Sequence, residues 1–216
     1  MALGPLEGIT VVDLTSVVVG PLCTQILADH GAEVIKVERP GKGDDSRGYA
    51  PPFLKDEQGR ETKEGAYFCS ANRGKKSISI NLSKPEGQQL VRELAQQCDV
   101  LIENYKVGQL QKYGLDYASL STIKPDLIYC SITGFGQTGP YAHRAGYDFI
   151  VQGMGGFMSV TGEREELPGG GPQKAGVAIA DLFTGMYATS AILAALIHRD
   201  KTGEGQYIDL ALLDVQ

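Results

Sequence analysis

The chain has 216 residues, 42% hydrophobic and 21% charged, with 28 Gly, 10 Pro and no Trp, a composition for one or at most two globular domains and not for a disordered tail. Twenty basic against 26 acidic side chains leave a net charge of −6, so the global attraction to phosphate backbones that general nucleic-acid binding requires is missing. The longest aliphatic run, Ala191 to Ile197, is far shorter than the roughly 20 apolar residues of a membrane span, and Met1 to Gly8 carries no targeting pattern, which predicts a soluble, cytoplasmic chain with no membrane or nucleic-acid partner.

Ile9 to Leu14 is β-branched and ends at a Thr15-Ser16 break. Pro21 to His30 places Leu22, Ile26 and Leu27 at helical spacing, and Gly31 closes that helix before a strand at Glu33 to Val37. Together these segments predict a βαβ unit. Arg39 to Glu64, rich in Gly, Pro and charge without a sustained period, reads as a long excursion. Ser77 to Asn81 alternates with period two and leads into Ser83-Lys84-Pro85-Glu86, read as a capping box. The helix it opens runs to about Gln97, with Leu90, Val91, Leu94 and Cys98 on one face. Val100 to Ile102 is a short strand, Tyr117 to Ile123 a short helix and Leu127 to Ile132 another strand. Apolar residues at Ile179, Leu182, Phe183, Met186, Leu193 and Ile197 predict a long buried helix over 179–198, and Gln206 to Leu210 returns as a strand. The alternation predicts an α/β fold, a parallel sheet flanked by helices. Tyr207 to Gln216 passes from strand into apolar helix, the pattern of a chain that stops in mid-domain.

Four cysteines, Cys23, Cys69, Cys98 and Cys130, lack CxxC spacing and read as reduced and mostly buried; with three scattered histidines, no metal site is expected. Gly134 to Gly139 matches GxGxxG after a strand, but Pro140 and the cluster Gly153, Gly155 and Gly156 interrupt the helix that a dinucleotide turn needs. Gly74-Lys75-Lys76-Ser77 imitates the end of a P-loop, yet Cys69 stands where its first glycine belongs. Arg73, Lys75 and Lys76 read either as a phosphate-holding cluster or as a solvated patch. Asp148 and Asp181 stand among small or apolar residues. Each reads as a helix cap or dipole partner, or as a poorly solvated carboxylate that can act as a nucleophile.

With those residues laid out, the chain resembles the family III CoA-transferases, a group that includes formyl-CoA and carnitine CoA-transferases and α-methylacyl-CoA racemase. The resemblance is carried by Leu6-Glu7-Gly8-Ile9, Val12-Asp13-Leu14, Gly31-Ala32-Glu33-Val34, Asn72 to Ser77, Glu103-Asn104-Tyr105, Ser131 to Gly136, Gly146-Tyr147-Asp148, Ala180-Asp181 with Gly185, and Thr202 to Gln206, in order from residue 6 to residue 216. It implies a Rossmann-like CoA-binding domain of which 1–216 is the N-terminal portion, the small domain and the C-terminal return of the fold lying outside this chain, and an interlaced homodimer at full length. It implies that Asp181 is the nucleophile, forming an aspartyl anhydride and then an aspartyl-CoA thioester, with Asp148 and Tyr147 beside it. Acyl-CoA and a small carboxylic acid are the implied substrates, with no covalently bound cofactor. Val17, Val18, Val19, Arg39, Ile80, Asn104, Tyr105 and Lys112 are the implied CoA contacts. The racemase branch places a histidine where this chain has Tyr147, and a phenol is a poor base near neutral pH, so transfer is preferred to racemization. A non-catalytic CoA-binding fragment is the remaining alternative.

Overall fold

A computed structural model describes residues 4–216. The first half runs β1 (Thr10–Asp13), α1 (Val19–Asp29), β2 (Glu33–Glu38), β3 (Phe53–Lys55), β4 (Glu61–Gly65), α2 (Ala66–Ser70), β5 (Lys75–Ser79) and α3 (Pro85–Gln97). The second runs β6 (Val100–Glu103), α4 (Tyr117–Leu120), β7 (Ile128–Thr133), α5 (Asp148–Met154), α6 (Ile179–Thr202), β8 (Gln206–Ala211) and α7 (Leu212–Val215). Six strands form one sheet in the order β5-β2-β1-β6-β7-β8, every pair parallel. The chain starts at the centre, builds outward to β5, then crosses through α3 to β6 and builds the other way. That reversal opens a crevice beyond the carboxyl ends of β1 and β6, where doubly wound sheets bind their ligands.

Both faces of the sheet are covered, so its central strands are apolar without interruption, as Val100-Leu101-Ile102 shows. On one face Val11, Ile102, Ile128 and Cys130 meet Cys23 and Leu27 of α1 and Ala188 and Ile192 of α6. On the other, Val12, Leu101 and Tyr129 meet Val91 and Ala95 of α3 together with Leu115 and Leu120. Cys23, Cys98 and Cys130 are buried, Cys69 is partly so, and all four are free thiols.

Four expectations are corrected. The excursion over 39–64 contains the antiparallel hairpin β3–β4, whose mostly exposed residues carry no alternating pattern. The capping box does not form: the Asn81 side chain accepts from the Ser83 amide, so the turn closes earlier and Lys84 becomes the N-cap, with Pro85 supplying the first helical position. The phosphate-holding reading of the basic cluster is replaced by the solvated-patch one for Arg73 and Lys76, which are exposed and pair with Asp29 and Glu33, while the buried Lys75 side chain gives all three ammonium protons to Asp13, the Pro21 carbonyl and Asn72. The face of α6 is also different. Ala180, Gly185, Ala188, Ile192 and Ala195 are buried, while Phe183, Met186 and Ile197 are exposed. Small residues let α6 approach α1 closely, a Cβ on Gly185 meeting the Val19 carbonyl at 2.7 Å. Among the described residues α6 alone is long and apolar enough to cross a membrane by length and composition, and its small-residue face lies in the core.

Candidate active site

The turn leaving β1 forms one wall of the crevice, and it is built under strain. Val17 has φ +73°, a left-handed backbone that a β-branched residue adopts at a cost of about 1–3 kcal/mol. Its amide donates to both carboxylate oxygens of Asp44, at 3.1 and 3.3 Å. Asp44 is in turn paired with Lys36 at 2.9 Å, both side chains 1% exposed, and Lys36 also donates to the Thr15 carbonyl at 2.8 Å. Across the crevice Asn104, just past β6, accepts from the Ser16 amide at 3.0 Å and donates to the Ser16 carbonyl at 2.9 Å. The turn is therefore clasped from two sides, which leaves Val17 and Val19 fixed on the wall.

The cleft between these walls measures about 570 Å3, within the roughly 300–1,000 Å3 typical of small-molecule sites. Of the CoA contacts implied by the resemblance, Val17, Val19, Arg39, Asn104 and Tyr105 line it, and Val18 lines an adjoining cavity. Ile80 instead lies buried in the core beneath the sheet, and Lys112 is exposed on the 3-10 turn Leu110–Tyr113, outside the lining. The basic groups that accompany Arg39 are Lys106 and Arg144, the latter seated over the Tyr141 ring. Sequence reasoning missed both, although Arg144 lies close before the Gly146-Tyr147-Asp148 motif. The glycines of the GxGxxG match have a different use here: a Cβ on Gly134 would collide with the Cα of Gly146, so the two backbones cross in contact at the cleft floor.

Asp148 opens α5 and reaches the start of α6. Its Oδ1 accepts from the amides of Ala180 at 2.8 Å and Asp181 at 3.3 Å, while Oδ2 accepts from Gln152 at 2.6 Å. The N-cap residue of α6, Ala178, has no side chain to offer, and Asp148 does its work. Asp148 therefore caps a helix other than its own, while Asp181 sits in the first turn of α6 and caps nothing. The Asp181 carboxylate accepts no hydrogen bond from the described residues; burial and the charge of Asp148 push its carboxyl up to about 7. Asp181 and Tyr147 line both the cleft and the adjoining cavity of about 610 Å3, so the carboxylate stands on the boundary between them. Tyr67 of α2 also lines that cavity, and burial together with the charge of Asp181 raises its phenol, keeping it a proton donor at neutral pH.

A pre-formed cleft at a sheet switch point, lined by Lys106, Arg144 and an Arg39 paired with Asp45 at 2.7 Å, and ending at a carboxylate without a partner among the described residues, suits a phosphorylated acyl carrier. In agreement, the model of CoA-transferase family III matches residues 6–216, and the chain belongs to that family. It is 60% identical over 212 residues to the succinate–glutarate CoA-transferase of Agrobacterium fabrum, covering 98% of this chain and 52% of that protein. Against the human succinyl-CoA:glutarate CoA-transferase the identity is 50% over 212 residues, covering 98% of this chain and 46% of the relative. The crystal structure of a CaiB/BaiF family protein from Brucella suis superposes with a TM-score of 0.92 at 55% identity, covering 99% of this chain and 55% of that one. The chain thus spans about half the length of the relatives it matches.

Proposed function

We propose that the chain supplies the CoA cleft and the nucleophile of an enzyme that moves CoA from an acyl-CoA thioester to a carboxylic acid through Asp181. One observation carries this reading: a carboxylate raised to about 7, without a hydrogen-bond partner among the described residues, on the boundary between a basic cleft and a second cavity. A carboxylate stripped of donors is a better nucleophile than a solvated one.

The Asp181 oxygen attacks the thioester carbonyl, the C–S bond breaks, and CoA leaves as thiolate, giving an acyl-aspartyl anhydride. The thiolate attacks the aspartyl carbonyl and expels the acyl group as a free carboxylate, leaving aspartyl-CoA thioester. An incoming carboxylate attacks that thioester and releases thiolate, which then takes the new acyl group and frees Asp181. Every step exchanges one carboxylate or thiolate for another, so no water, proton, metal or prosthetic group is consumed. Asp148 holds the start of α6 in place and adds the charge that keeps Asp181 reactive. Tyr147 borders the reacting carbonyl from both cavities. Arg39, Lys106 and Arg144 supply charge for the CoA phosphates. We place this enzyme in the cytoplasm; we read it as an interlaced homodimer, which the exposed apolar side chains Phe149, Met154, Met186 and Tyr187 of α5 and α6 support as an interface.

The test is to incubate the intact protein with succinyl-CoA and hydroxylamine and to search residue 181 for a hydroxamate by mass spectrometry. A folded, CoA-binding protein that yields no adduct overturns the covalent route. Asp181→Asn is expected to abolish turnover while leaving CoA affinity within a few-fold, because the covalent interaction is absent from ground-state binding.

A further inference from the structure

The adjoining cavity has a feature that thioester exchange alone does not require. Its walls are largely apolar, from Val18, Phe149, Val177 and Leu182, yet one cation, Lys174, stands among them. Among the described residues Lys174 forms no ion pair with the carboxylates that share the cavity, and its Nζ donates only to the neighbouring Ala175 carbonyl at 3.0 Å. The segment that carries it is anchored: the Ala175 amide donates to Gln152 Oε1 at 2.8 Å, and Gln152, fully buried, donates onward to Asp148 at 2.6 Å. The backbone next to this exposed lysine is thus tied through a buried amide to the residue that caps α6, and the same cavity holds the nucleophile. Lys174 and Asp181 line the same cavity and form no ion pair with each other among the described residues.

An elongated ligand fits that arrangement if its reacting carboxyl meets Asp181, its methylenes lie along the apolar wall and a second anion meets Lys174. We infer that Lys174 is the specificity-determining residue of an acid subsite and takes the remote carboxylate of a dicarboxylic acyl group. The inference rests on the proposed exchange at Asp181. Because the first acid leaves before the second enters, one subsite serves the donor's acyl group and the acceptor in turn. A monocarboxylate leaves Lys174 unmatched.

The experiment compares wild type, Lys174→Met and Lys174→Arg in the intact protein, using chain-matched pairs: succinyl-CoA against butyryl-CoA as donor, and glutarate against valerate as acceptor. Loss of a charge-assisted hydrogen bond corresponds to about 10- to 100-fold, so the preference for the charged member of each pair, as kcat/KM, falls by that factor in Lys174→Met. Most of the change is expected in KM, with Lys174→Arg restoring the preference. Affinity for free CoA, measured by calorimetry, stays within about threefold of wild type, since the remote carboxylate is absent from that ligand. Where wild type does not turn over the neutral partners, the glutarate KM against the CoA Kd is the deciding comparison. An unchanged preference, or a matching loss of CoA affinity, overturns the inference. Hydroxamate formation at residue 181 separates the two claims: a wild type that forms none sinks the covalent route itself, whereas an adduct whose yield is equally sensitive to Lys174 with both donors sinks only the role of Lys174.

Discussion

Replacing Asp181 with Asn should make the protein more stable at neutral pH while abolishing its chemistry. Burial and the charge of Asp148 raise the folded-state carboxyl from an ordinary 3.8 to about 7. An acid whose folded pKa is raised is bound to its proton more tightly in the native than in the unfolded state. Native stability is therefore undiminished below the unfolded value and falls as pH rises toward the folded one. The slope between the two is about 1.4 kcal/mol per pH unit, and beyond the folded value the loss is complete. Three units correspond to about 4 kcal/mol; because Asp181 keeps some contact with solvent in the cleft, about 2–4 kcal/mol is the working range. Asparagine carries no such cost at any pH. Urea unfolding of wild type and Asp181→Asn at pH 4 should give nearly equal stabilities, with the variant ahead by about 2–4 kcal/mol at pH 8. A wild type as stable as the variant at pH 8 would refute the claim that this carboxylate is held destabilised for its chemistry.

Asp148→Asn removes the charge that helps raise Asp181, so the acid limb of the kcat/KM profile should move to lower pH while burial keeps it above the ordinary carboxylate range. The weakened cap should cost about 1 kcal/mol in the same urea assay, and an acid limb that stays put or moves up contradicts this role. Asp44→Ala leaves Lys36 buried and unpaired beneath the Val17 turn, at an expected cost of about 3–5 kcal/mol; a loss below about 1 kcal/mol would show that the clasp carries little. Arg144→Met and Lys106→Met should each weaken CoA binding about tenfold and flatten its salt dependence, as read by calorimetry. An equal loss for pantetheine, which lacks the phosphates, would assign these cations elsewhere.

The centre of the sheet was legible because burial on both faces leaves its mark directly in composition: β1, β6 and β7 are buried along nearly their whole length. What escaped was set by contacts distant in sequence. The α6 pattern of Phe183, Met186 and Ile197 has helical spacing and the right chemistry for a core, yet the α1–α6 contact is too close for them and selects Gly185 and Ala188 instead. Lys75 looks like a phosphate ligand until its three donors are traced to Asp13, Pro21 and Asn72. Lys112 has the charge that the resemblance asks for, but it lies outside the cleft lining, on which Lys106 stands.

The two aspartates show why spacing could not separate cap from nucleophile. In sequence both stand at a helix start, where a carboxylate ordinarily binds the first free amides. In α6 those amides, on Ala180 and Asp181, are already taken by a side chain 32 and 33 residues earlier. A helix capped from outside has no further use for its own first-turn acid. The Asp181 carboxylate is thus left without a hydrogen-bond partner among the described residues and, with Asp148 beside it, faces a like charge in a poorly solvated place. That frustration results from one long-range carboxylate, and it is the feature that sets Asp181 apart from an ordinary first-turn acid.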